Sequence, residues 1–194
     1  HDVDVAFDVI PHDWAHTRVT SILPRWAQEG GVPKLLDRLT NVTNRENMKS
    51  NPTPHWRLVT AGRWDDIRIL HSEANPDLIG ATLSEIGRIR KIDPYDAVLD
   101  LLLEEGEGLQ HLLWTSHSFS DDDIELCIKQ DQCAVISDTL ALSPYGPLAK
   151  QIGSLSGYGW AARFLEDYVR NRNVISLSEG IRKLTSVPAS RLQI

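Results

Sequence analysis

The chain has 194 residues, 41% of them hydrophobic and 24% charged, enough apolar material for one packed domain or a domain with an excursion. A formal net charge of −7 leaves no basic surplus to neutralise phosphates, which argues against nucleic-acid binding and against an anionic membrane surface. With no apolar run near the about 18 residues of a membrane span and no basic-then-apolar signal at its start, the sequence predicts a soluble, cytoplasmic protein with a small-molecule partner.

Taken in chain order, "VDVAFDVI" (3–10) is rich in β-formers and predicts a buried strand closed by Pro11. Because the sequence opens at His1 without methionine and enters this strand at once, it is expected to be a piece of a longer polypeptide. A helix is predicted from Pro33, with Leu35, Leu36 and Leu39 on one face, fading into the polar "NVTNRENMKSNPTP". Residues 55–70 have mixed periodicity and read as short strands or turns. Clearer helices follow at 82–90 and at 93–106, the second capped by Asp93, with Pro94 in its first turn and Gly106 at its end. Residues 108–116 read as a strand, 120–130 as a helix opened by Ser120 and Asp123, and 133–137 as a short apolar strand. The Gly- and Pro-rich "SPYGPLAKQIGSLSGYG" (143–159) precedes a helix from Trp160 to Arg170. Ser176 and Glu179 form an S-x-x-E box before a closing helical pattern of Ile181, Leu184 and Val187. Strands alternating with helices predict an α/β fold, divided into residues 1–40, an inserted segment at 41–92, and residues 93–194.

The apolar strand at 133–137 ends on Ser137-Asp138. A carboxylate at the C-terminal tip of a buried parallel strand lies where α/β folds build their sites, since loops converge there over a rigid core. Asp138 is therefore a candidate; a carboxylate that merely opens a turn or caps a short helix is the competing reading. Ser137 lacks the flanking glycines of a nucleophile elbow. His12, Asp13 and His16 form a second cluster whose His-x-x-x-His spacing suits a metal on a helix, but it follows a strand and a proline, so rim histidines or one substrate contact, at His12, fit better. His55, His71, His111 and His117 are scattered and read as structural. Asp121, Asp122 and Asp123 are consecutive, cannot face one point, and read as a solvated helix start. The aromatic spacing of "WAARFLEDYVR" (160–170) reads as core. Cys127 and Cys133 lack C-x-x-C spacing and read as two buried thiols.

Several stretches together resemble the C-terminal half of the N-acyl-D-amino-acid deacylases, the D-aminoacylase branch of the amidohydrolase superfamily. "DVAFDVIP" (4–11) looks like that family's late barrel strand, with the usual Asp-x-Tyr-Pro-Tyr altered here to Asp8-Val9-Ile10-Pro11-His12. "LIGATLSEIGRIRKIDPYDAVLDLLLEE" (78–105) is similar to its helix pair, and "CAVISD" (133–138) to its eighth barrel strand with a terminal catalytic Asp. The most specific signal is "YVRNRNVISLSEGIRKLTSVPASRLQI" (168–194), which resembles the family's closing segment.

This resemblance implies the C-terminal part of a (β/α)8, TIM-like barrel with an inserted lid-like segment, from a zinc-dependent enzyme that hydrolyses N-acyl-D-amino acids or related amides. Asp138 would then lie at the metal-facing mouth, directly or through water, accept a proton from the attacking water and pass it to the departing amine. The family's other metal ligands would precede His1, so this chain alone is expected to lack most of the site and to need the missing half of the barrel or to self-associate through open strand edges. Where the family commonly follows this Asp with Gly and His-Pro-Arg, the chain continues Thr139-Leu140-Ala141-Leu142, which alters the substrate-facing loop. A non-catalytic fragment or self-associating interaction module is the alternative, and a metal-independent hydrolase built on Ser137 or His12 is a weaker third.

Overall fold

Two short parallel strands and a three-stranded antiparallel sheet organise the helices of this chain. The structure, a computed structural model, describes residues 3–53, 55–139, 142, 143, 145, 146 and 156–194. In chain order its elements are β1 (Phe7–Val9), β2 (Trp14–Arg18), α1 (Arg25–Gln28), α2 (Gly31–Thr40), α3 (Val42–Ser50), α4 (Arg57–Thr60), β3 (Ile67–His71), α5 (Leu83–Arg90) and α6 (Pro94–Glu105). There follow β4 (Leu113–His117), α7 (Asp121–Ile128), β5 (Cys133–Val135), α8 (Ser156–Phe164), a π-helical segment Leu165–Asn171, α9 (Leu177–Leu184) and α10 (Ser186–Leu192). None of the described helices is long and apolar enough to cross a membrane. Most of the Gly- and Pro-rich stretch expected at 143–159 lies outside the described residues.

The chain divides into two units, one of residues 1–13 with 118–194 and the other of Trp14–His117. The inserted segment was expected at 41–92; the unit that closes on itself runs instead from 14 to 117. The reason is pairing at its two ends: β2 is antiparallel to β4 from Trp14 opposite His117 to Arg18 opposite Leu113. That strand was missed in the sequence because "WAHTR" is only half buried and carries little alternation. β3 completes the sheet order β2-β4-β3.

Within Trp14–His117 the core is built from Val19, Ile22, Leu35, Leu39, Ile67, Ile69, Leu83, Ile86, the Val98–Leu102 face of α6, and Trp114. The polar stretch after α2 does not fade: Asn41 accepts the amide of Asn44 and starts α3. α3 buries Met48 and is fastened to α6 by Arg45 on Asp100 at 2.6 Å and by Lys49 on Asp96 at 2.7 Å and Asp93 at 3.3 Å. Tertiary partners supply here what hydrophobic periodicity does not. The 82–90 helix begins with a complete capping box, Thr82 Oγ1 accepting the Glu85 amide and Glu85 Oε2 accepting the Thr82 amide. This gives the Thr-Leu-Ser-Glu stretch of the resemblance a folding role.

In the other unit, β1 and β5 are parallel, Phe7 opposite Cys133 and Val9 opposite Val135. The expected strand 3–10 shortens to Phe7–Val9, and Val3, Val5 and Phe7 are exposed, because among the described residues β1 has a single strand neighbour. Ile124, Ile128, Val135, Phe164, Tyr168 and Val169 form the core, with Val9 against it. Tyr168 donates from its hydroxyl to Asp121, and Arg172 lies 5.2 Å over the Tyr168 ring while pairing with Asp121 and Glu125. At Gly180 a Cβ would stand 2.8 Å from Val169 Cγ2, so only glycine lets α9 meet the π-helical segment this closely.

Lys183 of α9 is 1% exposed and donates to the carbonyls of Gln130 and Cys133, tying the closing helices to the start of β5. Glu179, one turn earlier, accepts both forks of Arg182 at 2.7 Å and lies 3.4 Å from Lys183. The Arg182 hydrogen bond first, with a smaller contribution from Lys183, holds the Glu179 carboxyl below the usual glutamate value. A carboxyl depressed in the folded state contributes stability above its unfolded pKa and loses it as pH falls through the folded one. Glu179→Gln is therefore expected to flatten the acid limb of a stability-against-pH curve below about pH 4.5. An unchanged acid limb in urea titrations would show that the pair contributes nothing.

Candidate functional site

Asp138 stands three residues beyond the last paired residue of β5, at the C-terminal end of both parallel strands. The ladder continues one step, the Ile136 amide donating to Val9 O at 3.0 Å, and then breaks. The break is conformational: Asp138 has φ +45°, in the left-handed region that a non-glycine residue adopts at a cost. Such a backbone at a strand end directs the side chain away from the pleat, and strained residues of this kind cluster at functional sites.

Beside it, Asp13 O accepts the amides of Ser118 at 2.9 Å and Phe119 at 3.2 Å, pinning the loop after β1 to the start of α7. Ser120 caps α7 by accepting the Asp123 amide and donating from Oγ to the Asp123 carboxylate. These contacts bring the N-terminal turn of α7 alongside the ends of β1 and β5 and frame an open-sided cavity of 320 Å³, with Asp8, Asp123 and Asp138 exposed at it. Its walls are Val9, Ile10, Phe119, Ile124 and Ile136, with the Cys127 thiol and the carboxylates of Asp8, Asp123 and Asp138.

Of the residues read in the sequence as catalytic, metal or substrate candidates, Asp138 lines this cavity, together with Asp123, read there as part of a helix start, and Cys127, read there as a buried thiol. His12 is buried, 6% exposed, in the bend that follows β1 and outside the cavity lining. His16 belongs to β2, so the His-x-x-x-His spacing falls on a bend and a strand and has no helical face. Ser137 is half buried. The three consecutive aspartates diverge as expected, Asp121 to Tyr168 and Arg172 and Asp123 towards the cavity. Both cysteines are free; Cys133 is buried, while Cys127, expected to be buried, is half exposed because it borders the cavity. Burial pushes the Cys133 thiol up to about 11.

None of Asp8, Asp123 and Cys127 reads as a site residue in the sequence. The available signals were the i, i+4 spacing of Asp123 and Cys127, which share a helical face, and the period-two spacing of Asp8 and Ile10 on a strand. Among the described residues no group of three or more His, Cys, Asp or Glu side chains could hold a metal ion. The described donors therefore do not make up a metal centre by themselves, although Asp138 could supply one carboxylate to it.

No family model and no curated protein matches the sequence. Solved structures do. The chain matches the N-acyl-D-glutamate deacylase of Bordetella bronchiseptica, a structure containing zinc and a phosphonate inhibitor, with TM-score 0.60 and 20% identity over 99% of this chain and 30% of that one. It matches D-aminoacylase, described as defining a novel subset of amidohydrolases, with TM-score 0.60 and 17% identity over 98% of this chain and 29% of that one. A further D-aminoacylase structure, concerned with its binuclear metal centre, matches equally well. The chain thus has the α/β fold of a stretch of these amidohydrolases and spans under a third of their length.

Proposed function

We propose that this chain is the C-terminal portion of a metal-dependent amidohydrolase of the D-aminoacylase type. In this reading β1 and β5 are the last two strands of a (β/α)8 barrel, with Trp14–His117 inserted in the chain between them. The complete polypeptide hydrolyses N-acyl-D-amino acids. The observation that carries the reading is the parallel β1–β5 pair, joined through α7, that delivers Asp138 at its C-terminal end in a left-handed backbone conformation. The likeness to the deacylase structures supports it.

Amide hydrolysis needs a proton removed from the attacking water and a proton delivered to nitrogen as the C–N bond breaks. One carboxylate can do both in sequence, as base and then as acid, and this is the role assigned to Asp138. Zinc, held by ligands outside this chain, would supply Lewis-acid polarisation of the carbonyl. His12, anchored in the bend after β1, is assigned a substrate contact. His12→Asn is then expected to raise KM about tenfold with kcat nearly unchanged, whereas an equal loss in kcat and kcat/KM would remove it from ground-state binding.

The direct test is release of free amino acid from N-acetyl-D- and N-acetyl-L-amino acids by the complete polypeptide, metal-stripped and then reloaded with zinc. Zinc-restored turnover of the D series supports the reading, and preference for L substrates or metal-independent turnover overturns it. The exposed Val3 and Val5 before β1 and Phe7 at its start favour a second reading for the isolated chain, self-association through open strand edges. Light scattering that reports a monomer at every concentration would remove it.

A further inference from the structure

Delivery of Asp138 depends on the register of β5, and the strand's own side chains do not fix that register. Cys133, Ala134, Val135 and Ile136 are consecutive apolar residues, the first three buried and the fourth half-buried. A slip of one residue would leave hydrocarbon on both faces, so burial alone scarcely opposes it. The ladder to β1 is also short, three residue pairs and then the Ile136 amide on Val9 O. Yet such a slip would carry Asp138 about 3.3 Å along the strand and turn its side chain to the opposite face.

The register is read instead from the main chain, by α9. Its adjacent cations meet the turn that enters β5: Arg182 Nη2 donates to Asp131 O at 3.1 Å, and Lys183 Nζ donates to Gln130 O at 2.5 Å and to Cys133 O at 3.3 Å. Lys183 is 1% exposed, with Glu179 Oε1 at 3.4 Å. Successive carbonyls along a strand point to opposite sides, so a slip would turn the Cys133 carbonyl away and take an acceptor from a buried ammonium, which is costly. The helix is itself held in place, capped by Ser176 and seated on Val169 through Gly180.

We infer that Lys183 is a positioning residue: its buried ammonium locks the register of β5 and so sets where the Asp138 carboxylate stands. Fixing register is a better attested use of buried ionic groups than adding stability. The step from position to turnover rests on the reading of Asp138 as the catalytic carboxylate, whereas the register lock does not.

The test compares Lys183→Met, Lys183→Arg and the wild type as complete polypeptides. Hydrogen–deuterium exchange is followed by peptide mass spectrometry at residues 133–138 and at α7, and kcat and KM are measured alongside on an N-acetyl-D-amino acid with zinc present. In Lys183→Met, exchange is expected to be at least about fivefold faster at 133–138 with α7 unchanged. kcat is expected to fall about tenfold or more at nearly constant KM, the mark of a misplaced reacting group rather than of lost binding. Lys183→Arg, which keeps a cation and can still donate to two carbonyls, should recover most of both losses. Should Lys183→Met fail to fold, Lys183→Gln, whose shorter side chain reaches at most one of the two carbonyls, carries the same comparison. Exchange that rises evenly over 133–138 and α7 overturns the inference, because Lys183 would then serve stability alone. So does unchanged exchange at 133–138 in a folded variant. Faster local exchange with unchanged kcat leaves the register lock standing and removes Asp138 from the reaction.

Discussion

Asp138→Asn is expected to lower kcat for N-acyl-D-amino acid hydrolysis by about 10²–10⁴, with little change in stability, in the complete polypeptide. The amide is isosteric with the carboxylate and is at ease in a left-handed backbone, so the φ of +45° at this position is retained. On the proposed reading, what is lost is the group that accepts the water proton and returns it to the leaving nitrogen. Asp138→Gly should lose the same activity yet unfold at a slightly higher denaturant concentration, because glycine adopts this φ without the penalty that a Cβ imposes. The opposite signs separate chemistry from folding. Near-wild-type turnover in Asp138→Asn would remove the catalytic assignment, and a large stability loss in it would make Asp138 a structural cap.

Trp114→Ala is expected to destabilise the Trp14–His117 unit by about 3–5 kcal/mol. Trp114 lies on β4, the central strand, 1% exposed, with its indole N–H shared between Arg18 O and Ser21 Oγ at 3.2 Å each. The ring meets Trp56 edge-on at 5.0 Å. Truncation removes a large buried surface, leaves a cavity between β4 and its helical cover, and strips a partner from the carbonyl of Arg18. Set against a typical domain stability of about 5–15 kcal/mol, the loss is a large fraction of the total. A urea midpoint lowered at constant slope is the expected signature, and a shift of less than about 1 kcal/mol would mean that the site repacks.

Much of the helical scaffold was legible because local signals and tertiary fate agree. Asp93-Pro94 with Gly106, and Ser176 with Glu179, are capping chemistry that the fold uses directly. α3 was not legible: its stretch is polar, and it holds its place through Arg45 and Lys49 on α6 carboxylates about fifty residues away. β2 was hidden for a related reason, since its partner β4 lies about a hundred residues on and its faces are both half buried. At the site, Asp138 could be read from a strand ending in a carboxylate. Asp8, Asp123 and Cys127 could not, because what brings them together is the pinning of Ser118 and Phe119 to Asp13, a backbone event with no side-chain signature.

The most direct measurement is a crystal structure of the complete polypeptide grown with zinc, with data collected at the zinc absorption edge. Anomalous density is expected at the C-terminal ends of the strands that correspond to β1 and β5, with an Asp138 carboxylate oxygen within about 3 Å of the metal or of a water between them. Density elsewhere, with Asp138 turned away to solvent, would contradict it.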